Sequence, residues 1–155
     1  MTVKLIAHSL IKKDNQYLLI QRTDIKRGKK NVYPSYWDIP GGSVEPGETP
    51  QQGAQREAME EVNLTIALGK IIHEDSHYDV PQKTVFTRLV YDATISACET
   101  LNIKLDPEEH QNYIWLSSLD ELKSEKIVPY VYDILPHQYK IARNQRFLAI
   151  FYFLV

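Results

Sequence analysis

The sequence predicts a mixed α/β sandwich, because strand-like segments lie on both sides of one strongly signalled helix near the middle of the chain. Residues 4–11 and 17–21 are rich in aliphatic side chains and are separated by a polar turn, which predicts a β-hairpin. After the helix, the strand candidates are residues 65–72, 83–97 and 112–116. A length of 155 residues is typical of one domain, so we expect residues 1–155 to form a single unit.

The central helix is indicated by its own capping residues. Thr49 suits the N-cap, Pro50 suits the first helical position, and Gln52 is placed to complete a capping box. The helix is predicted to run to Val62. Asn63 follows it, and asparagine tolerates the left-handed conformation with which a chain leaves a helix.

The other segments are loops and short helices. Residues 23–35 form a polar, basic loop, which is either a solvated loop or a mobile basic lip over an anionic ligand. Residues 101–111 indicate a second polar loop, Ser118 begins a short capped helix, and residues 129–139 are predicted to form the last helix. We interpret the apolar tail, residues 147–155, as a final core strand or helix, as half of a dimer interface, or as a membrane contact.

The composition is that of a soluble globular protein, with 43% apolar residues, 25% charged residues and a net charge of −2. This balance argues against a protein that binds nucleic acid through bulk positive charge. No run approaches the roughly 20 apolar residues of a membrane span, and the N-terminal segment lacks the basic start of a signal peptide. Because Cys98 is the only cysteine, no internal disulfide can form, and we expect a reducing, cytoplasmic location.

The last two turns of the predicted helix hold an unusual concentration of acids. At about 100° per residue, Glu57, Glu60 and Glu61 fall within an arc of roughly 100°. Like charges at these spacings cost about 0.2–0.5 kcal/mol per pair and also oppose the helix dipole. Arg56 is expected to relieve only Glu60. A divalent cation such as Mg²⁺ or Mn²⁺ would remove the conflict, because these ions prefer oxygen ligands.

These acids belong to a longer pattern. Residues 42–64, GSVEPGETPQQGAQREAMEEVNL, resemble the signature of the Nudix hydrolases. The matching positions are Gly42, Glu48, Arg56, Glu57, Glu60, Glu61 and Leu64. Ala58 departs from the usual larger aliphatic, and Asn63 departs from the usual glycine. Neither departure removes a charged group.

The resemblance implies a Nudix-type α/β/α sandwich with a mixed sheet and the catalytic helix at its edge. It further implies a Mg²⁺-dependent hydrolase, with Mn²⁺ as the alternative ion, that cleaves a nucleoside diphosphate linked to another moiety. The implied metal ligands are the carboxylates of Glu57, Glu60 and Glu61 and the backbone carbonyl of Gly42, with Glu48 organising the loop or holding a second metal.

The resemblance also assigns catalytic and binding roles. Arg56 is expected to orient the neighbouring glutamates, and the forked shape of its guanidinium suits that task. A further acid from a later loop often completes such sites, and we prefer Glu109 to Glu108 for this role, although a solvated acidic loop is the alternative. The candidate substrate contacts are Arg22, Trp37 and Gly41, although Arg22 suits a structural role equally well and aromatic residues are more often core.

A second motif competes with this interpretation. Residues 73–77, HEDSH, match the H-E-x-x-H pattern of zinc peptidases. That pattern requires a helix that brings both imidazoles to one face, whereas Ile71 and Ile72 continue a strand-like run. We therefore expect a polar loop near the substrate entrance.

We expect the substrate to be a nucleoside triphosphate, unmodified or oxidised, because the signature is most like that of the MutT-like branch. The alternatives are ADP-ribose or another nucleoside diphosphate derivative, which Pro81 favours by its spacing from Leu64, and a Nudix-fold binding module without catalysis. We expect a small nucleotide as the substrate, with no nucleic acid or membrane partner, and a monomer or homodimer.

Overall fold

The computed structural model describes residues 1–97 and 100–135. Strands β1 (Thr2–Lys13) and β2 (Gln16–Arg22) pair antiparallel, so the predicted N-terminal hairpin is confirmed. Its two-residue turn consists of Asp14 and Asn15, both with positive φ, which is what a tight hairpin turn requires.

The predicted basic loop contains a small hairpin of its own. Strands β3 (Ile25–Lys26) and β4 (Lys29–Lys30) pair antiparallel around a two-residue turn, Arg27–Gly28. The φ angles of Arg27 and Gly28 are 48° and 79°, the signs that a type I′ turn needs. Two further short strands follow, β5 (Trp37–Asp38) and β6 (Gly41–Ser43).

Helix α1 (Pro50–Val62) has the predicted bounds. Thr49 and Gln52 form the capping box, Pro50 occupies the first turn, and Asn63 has the left-handed angles φ 56° and ψ 42°. The small and apolar residues of the helix, Ala54, Ala58 and Val62, are fully buried against the sheet.

After the helix, β7 (Ile66–Asp79) and β8 (Thr84–Ile95) form a long antiparallel pair. The loop predicted for residues 73–77 is therefore wrong, because this segment lies inside β7. His73 pairs with Val90 and His77 pairs with Phe86, so the two imidazoles are separated by four strand residues, roughly 13 Å. This geometry excludes the zinc-peptidase interpretation.

Apart from β3 and β4, the strands form one mixed sheet with the order β5-β2-β1-β8-β7, in which β1 and β8 are parallel. Strand β6 pairs with β1, and β9 (His110–Leu116) pairs with β2. Strand β9 begins two residues earlier than predicted, which places His110 beside Arg22.

Both faces of the sheet are covered, as an α/β/α sandwich requires. On one face, α1 packs through Ala58 and Val62 against apolar residues of β1 and β2. On the other face, the core includes a 3₁₀ helix (Leu119–Leu122), capped by Ser118, and the short helix α2 (Val131–Ile134). No helix among the described residues is long and apolar enough to cross a membrane. The tail at 147–155 and the end of the predicted last helix lie outside the described residues.

Candidate functional site

The site forms where strand β6 passes the catalytic-helix candidate α1. A Cβ atom on Gly42 would lie 2.6 Å from Oε1 of Glu57, and one on Gly41 would lie 2.5 Å from the carbonyl oxygen of Ala7. Gly41 also has a φ of 151°, which side chains rarely adopt. At Gly41 the φ angle and the contact with β1 therefore require glycine, and at Gly42 a side chain would displace the carboxylate of Glu57.

Arg56 organises the acids at this contact. Its guanidinium donates to both carboxylate oxygens of Glu48, at 2.9 and 3.2 Å, and to the backbone carbonyl of Ser43 at 2.9 Å. It also donates to Glu57 at 2.9 Å and to Glu60 at 3.1 Å. The expectation that Arg56 relieves only Glu60 is therefore wrong, because Arg56 also contacts Glu57 on the helix and Glu48 before it. These bonds lower the pKa of Glu48 and raise that of Arg56.

The three acids of the predicted face lie in different environments. The side chain of Glu61 is 7% exposed, whereas that of Glu60 is 57% exposed. Burial raises the pKa of Glu61 well above its ordinary value, although its Oε2 accepts a 2.9 Å bond from the backbone N–H of Gly41. Burial also raises the pKa of Glu57, against the opposing effect of Arg56. Ionising these carboxylates at neutral pH therefore calls for added positive charge nearby.

A second element completes the acidic cluster. Glu109 and His110, at the start of β9, are buried, and their ligand atoms lie within 4.8 Å of those of Glu61. Nε2 of His110 is 3.7 Å from Oε1 of Glu61. Burial lowers the pKa of His110 to about 4, so its imidazole is neutral at pH 7. Sequence reasoning missed His110, whose only local signal is its position next to Glu109.

Cations lie on the other side of this cluster. Lys26 forms an ion pair with Oε2 of Glu109, and Nη2 of Arg27 lies 3.0 Å from Oε1 of the same carboxylate. Acids and cations together enclose a small cleft. It is lined by Arg22, Lys26, Asn31, Asp38, Ile39, Gly41, Glu61, Glu109 and His110. A cleft of this kind suits a ligand that carries both negative groups and a cation.

The predicted substrate contacts separate into two groups. Gly41 and Arg22 line the cleft, and Arg22 is held there by Asp38 at 2.9 Å and by Oδ1 of Asn31 at 3.1 Å. Trp37 is 5% exposed and packs in the core. Its indole N–H donates to Glu125 at 3.4 Å. The position of Trp37 therefore does not support its predicted contact with substrate, because a buried ring offers no free face to a base.

The donor set fits a divalent cation. Glu61 and Glu109 bring two buried carboxylates together with the imidazole of His110. Glu57, on the preceding turn of α1, adds a carboxylate that is 14% exposed, and burial opposes the ionised form of both Glu57 and Glu61. Glu60 offers a fourth carboxylate, which is exposed. Hard divalent cations take oxygen ligands and would supply the missing positive charge.

Comparisons with known proteins agree with this geometry. The model of the NUDIX domain family matches residues 4–138. The nucleoside triphosphatase NudI of Escherichia coli (strain K12) is 31% identical over 129 residues, covering 77% of this chain and 86% of that protein. The crystal structure of a MutT protein from Methanosarcina mazei Go1 superposes with a TM-score of 0.67 at 27% identity, covering 85% of this chain and 89% of that one.

An ADP-ribose pyrophosphatase from Streptococcus suis 89-1591 superposes with a TM-score of 0.57 at 21% identity, covering 80% of this chain and 78% of that one, and so shares the fold. The family match covers most of the chain, and the matched region contains every acid of the cluster. The chain therefore belongs to the Nudix family, as a MutT-like hydrolase that acts on phosphoric anhydride bonds.

Proposed function

We propose that the protein hydrolyses a nucleoside triphosphate, unmodified or oxidised, to the monophosphate and pyrophosphate, with Mg²⁺ or Mn²⁺ as the cofactor. The observation that carries this proposal is the contact of Lys26 and Arg27 with Glu109, which places two cations directly beside the acids of the site. A triphosphate that binds together with a divalent cation would bring negative phosphates to Lys26 and Arg27 and a positive ion to the acids. The nucleoside triphosphatase NudI, named above, supports the same substrate class.

The reaction is the hydrolysis of a phosphoric anhydride bond. The oxygen of water joins one phosphorus atom, the anhydride bond between the α and β phosphates breaks, and a proton is released. The carboxylates of Glu57, Glu60 and Glu61 and the carbonyl of Gly42 would hold the cation, which would supply positive charge to the phosphate oxygens. Glu48 would hold a second cation or, through its bonds to Arg56 and to the backbone N–H of Glu45, organise the loop.

The side chains of this protein supply position and charge. Arg56 holds Glu57 and Glu60 at fixed places on α1, so both carboxylates are oriented before the ligand arrives. Arg22, fixed by its bond to Asp38, presents a cation to the cleft for a phosphate oxygen. Glu109 adds a carboxylate from the opposite side, where it serves as a ligand or accepts the proton of the attacking water.

Two features bear on the alternative substrate. Pro81, which favours ADP-ribose by spacing, lies in the turn between β7 and β8, where proline is common for local reasons. The ADP-ribose pyrophosphatase named above shares only the fold. The substrate class and the single cysteine also agree with a reducing, cytoplasmic setting.

The test is a product assay over a panel of nucleoside triphosphates, oxidised triphosphates, ADP-ribose and nucleotide sugars with Mg²⁺ and with Mn²⁺. We expect a monophosphate and pyrophosphate from at least one triphosphate. AMP and ribose 5-phosphate from ADP-ribose, with no pyrophosphate from any triphosphate, would replace the proposal with the alternative. Tight binding of a nucleotide without turnover of any compound would favour a binding module.

A further inference from the structure

The hairpin of β3 and β4 is fixed over the acidic cluster by its base. The backbone N–H of Thr23 donates to the carbonyl of Glu109 at 2.9 Å. The side chain of Asn31 closes the hairpin, because its amide donates to the carbonyl of Thr23 at 2.9 Å. The tight turn at Arg27 and Gly28 then points back toward the loop that carries Glu109. The hairpin and this loop are therefore held together at Thr23, whose hydroxyl also donates to the Glu109 carbonyl at 3.1 Å, independently of any charge at the tip.

The tip of the hairpin neutralises Glu109. Each oxygen of this carboxylate has its own cation, Lys26 on Oε2 and Arg27 on Oε1. The Glu109 side chain is 10% exposed, whereas those of Lys26 and Arg27 are 42% and 66% exposed. The carboxylate is thus on the inner side of these ion pairs, next to Glu61, and the cations are on the solvent side, where a substrate arrives.

These contacts compete with the ligands of the proposed reaction. A divalent ion that binds Glu109 would lie close to these two cations and be repelled by them, so its binding favours the loss of at least one of the ion pairs. The cleft encloses about 30 Å³, and Lys26 is part of its wall. That volume holds about two water-sized spheres and no phosphate chain. Repulsion of the metal ion by the two cations, and the small volume available to a phosphate chain, therefore both favour movement of the side chains at the tip away from Glu109.

We propose that Lys26 and Arg27 are exchangeable counter-cations: they pair with Glu109 in the free protein, leave it when a divalent cation binds, and then bind the phosphate groups of the substrate. The second half rests on the proposed function, because it needs a polyphosphate substrate. The exchange couples the two ligands, since metal binding releases the residues that hold the phosphates. Lys26 and Arg27 thereby become specificity residues for the length and charge of the phosphate chain.

The first test measures Mn²⁺ affinity without nucleotide, by calorimetry or by the electron paramagnetic resonance of free Mn²⁺. The variant K26Q/R27Q is compared with K29Q/K30Q, which removes the same charge from exposed positions of the same hairpin. We expect Mn²⁺ to bind at least fivefold more tightly to K26Q/R27Q and within twofold of the wild type to K29Q/K30Q. Unchanged or weaker Mn²⁺ binding to K26Q/R27Q would overturn the proposal.

Two further variants keep this measurement decisive. Removing both cations leaves Glu109 buried without its partners, which can lower stability. Arg27→Gln alone, at an exposed position, is expected to keep the fold and to bind Mn²⁺ at least twofold more tightly. In a Glu109→Gln background, K26Q/R27Q should change Mn²⁺ affinity by less than twofold, because the competition is already absent. An undiminished effect in that background would contradict the role of Glu109.

The second test measures binding of an α,β-methylene nucleoside triphosphate at saturating Mg²⁺. We expect K26Q/R27Q to weaken this binding at least tenfold and K29Q/K30Q to weaken it less than threefold. Unchanged affinity of K26Q/R27Q for the analogue would overturn the claim that Lys26 and Arg27 bind the phosphate groups of the substrate. Failure of the wild type to bind any such analogue would overturn the proposed function, and the Mn²⁺ measurement would still decide whether Lys26 and Arg27 compete for Glu109.

Discussion

The hydroxyl of Tyr130 donates a 2.6 Å hydrogen bond to Oδ1 of Asp38. The other oxygen of Asp38 accepts the 2.9 Å bond from Arg22, and both Tyr130 and Asp38 are buried. Tyr130 lies in the segment that covers the face of the sheet opposite α1, whereas Arg22 lines the cleft. A core residue on one face of the sheet thus fixes a cation of the functional site through a single carboxylate.

Tyr130→Phe tests this connection. Asp38 keeps its bonds to Arg22 and to the backbone N–H of Ile39 but loses one donor. We expect a loss of about 1–3 kcal/mol in the free energy of unfolding, measured by urea denaturation. We also expect a several-fold rise in KM with kcat nearly unchanged, because Arg22 is less well fixed. Tyr113→Phe, at an exposed position, is the control and should change stability by less than about 0.5 kcal/mol.

A fall in kcat without any change in KM would contradict the positioning role of Tyr130. A purely structural contribution would lower stability without separating the two kinetic constants. The two kinetic constants are therefore measured at a temperature well below the midpoint of thermal unfolding of the variant.

Glu61→Gln should separate activity from stability. The variant keeps a side-chain oxygen that can accept the hydrogen bond from the Gly41 N–H. It removes a buried carboxyl group whose pKa is raised by burial. We expect turnover to fall at least 100-fold, about 2.7 kcal/mol of barrier, while the metal-free protein melts at the same or a higher temperature. Glu60→Gln, at an exposed position, should lose turnover similarly with little change in melting.

Glu74→Gln is a suitable control for both variants, because Glu74 lies on β7 and is exposed. It should leave Mg²⁺-dependent turnover within about twofold of the wild type. Full activity of Glu61→Gln would contradict its assignment to the metal ion, and a large loss in Glu74→Gln would mean that the loss of turnover is not specific to the acids of the site.

Asn63→Gly tests the exit of α1. From the sequence alone, this change is expected to be neutral or slightly stabilising, because glycine adopts the left-handed conformation without cost. The structure shows an additional contact, a 3.0 Å bond from the side-chain amide of Asn63 to the carbonyl of Asn102. We now expect a loss of about 0.5–1 kcal/mol, because one hydrogen bond is removed.

Asn63→Asp is the matched variant, since it tolerates the same backbone angles but replaces the donor with an acceptor. It should be less stable than Asn63→Gly in urea denaturation, because its carboxylate would face the Asn102 carbonyl. Equal stability of Asn63→Gly and the wild type would show that the bond to Asn102 contributes nothing measurable. The contact matters for the site because Asn102 lies in the segment that leads to Glu109.

Much of the fold was predictable where the signals are local. The bounds of α1 follow from Thr49, Pro50 and Asn63, each of which acts through its own backbone conformation. The acids of α1 were likewise predictable, because helical spacing alone places them together. The contacts of Arg56 with Glu48 and Ser43 were not, since they depend on how the loop before α1 folds back.

The errors share a different cause. Residues 73–77 are polar, but pairing along the whole of β8 keeps them in a strand, and this pairing is tertiary. His110 enters the site only because β9 pairs with β2 in a register that aligns it with Arg22. Trp37 lies in β5, which pairs with β2, and its ring packs in the core, the alternative that the sequence left open for aromatic residues. No local pattern encodes these long-range pairings.

His8 is expected to make stability depend on pH. Burial is the main reason that its pKa is lowered from 6.5 to about 4, and its ring lies edge-on to that of Tyr130 at 5.4 Å. The charged groups that face it are Asp38 and Asp75, which raise its pKa, and Arg22 and Arg88, which lower it. Its Nδ1 has no hydrogen-bond partner among residues 1–97 and 100–135.

The sign of the effect follows from the direction of the shift. Between pH 4 and 6.5 the unfolded chain binds a proton at His8 that the folded protein excludes, so stability rises with pH through this window. The contribution is fully present above about pH 6.5 and is lost as the pH falls toward 4, by at most about 3 kcal/mol.

We expect the difference in unfolding free energy between wild type and His8→Gln to shrink by up to this amount from pH 7.5 to 4.5, in urea denaturation with EDTA. His77→Gln, which removes an exposed histidine of β7, is the control for substitution of an imidazole and should change stability at pH 7.5 by less than about 0.5 kcal/mol. Parallel profiles for the wild type and His8→Gln would mean that His8 takes up its proton without unfolding the protein.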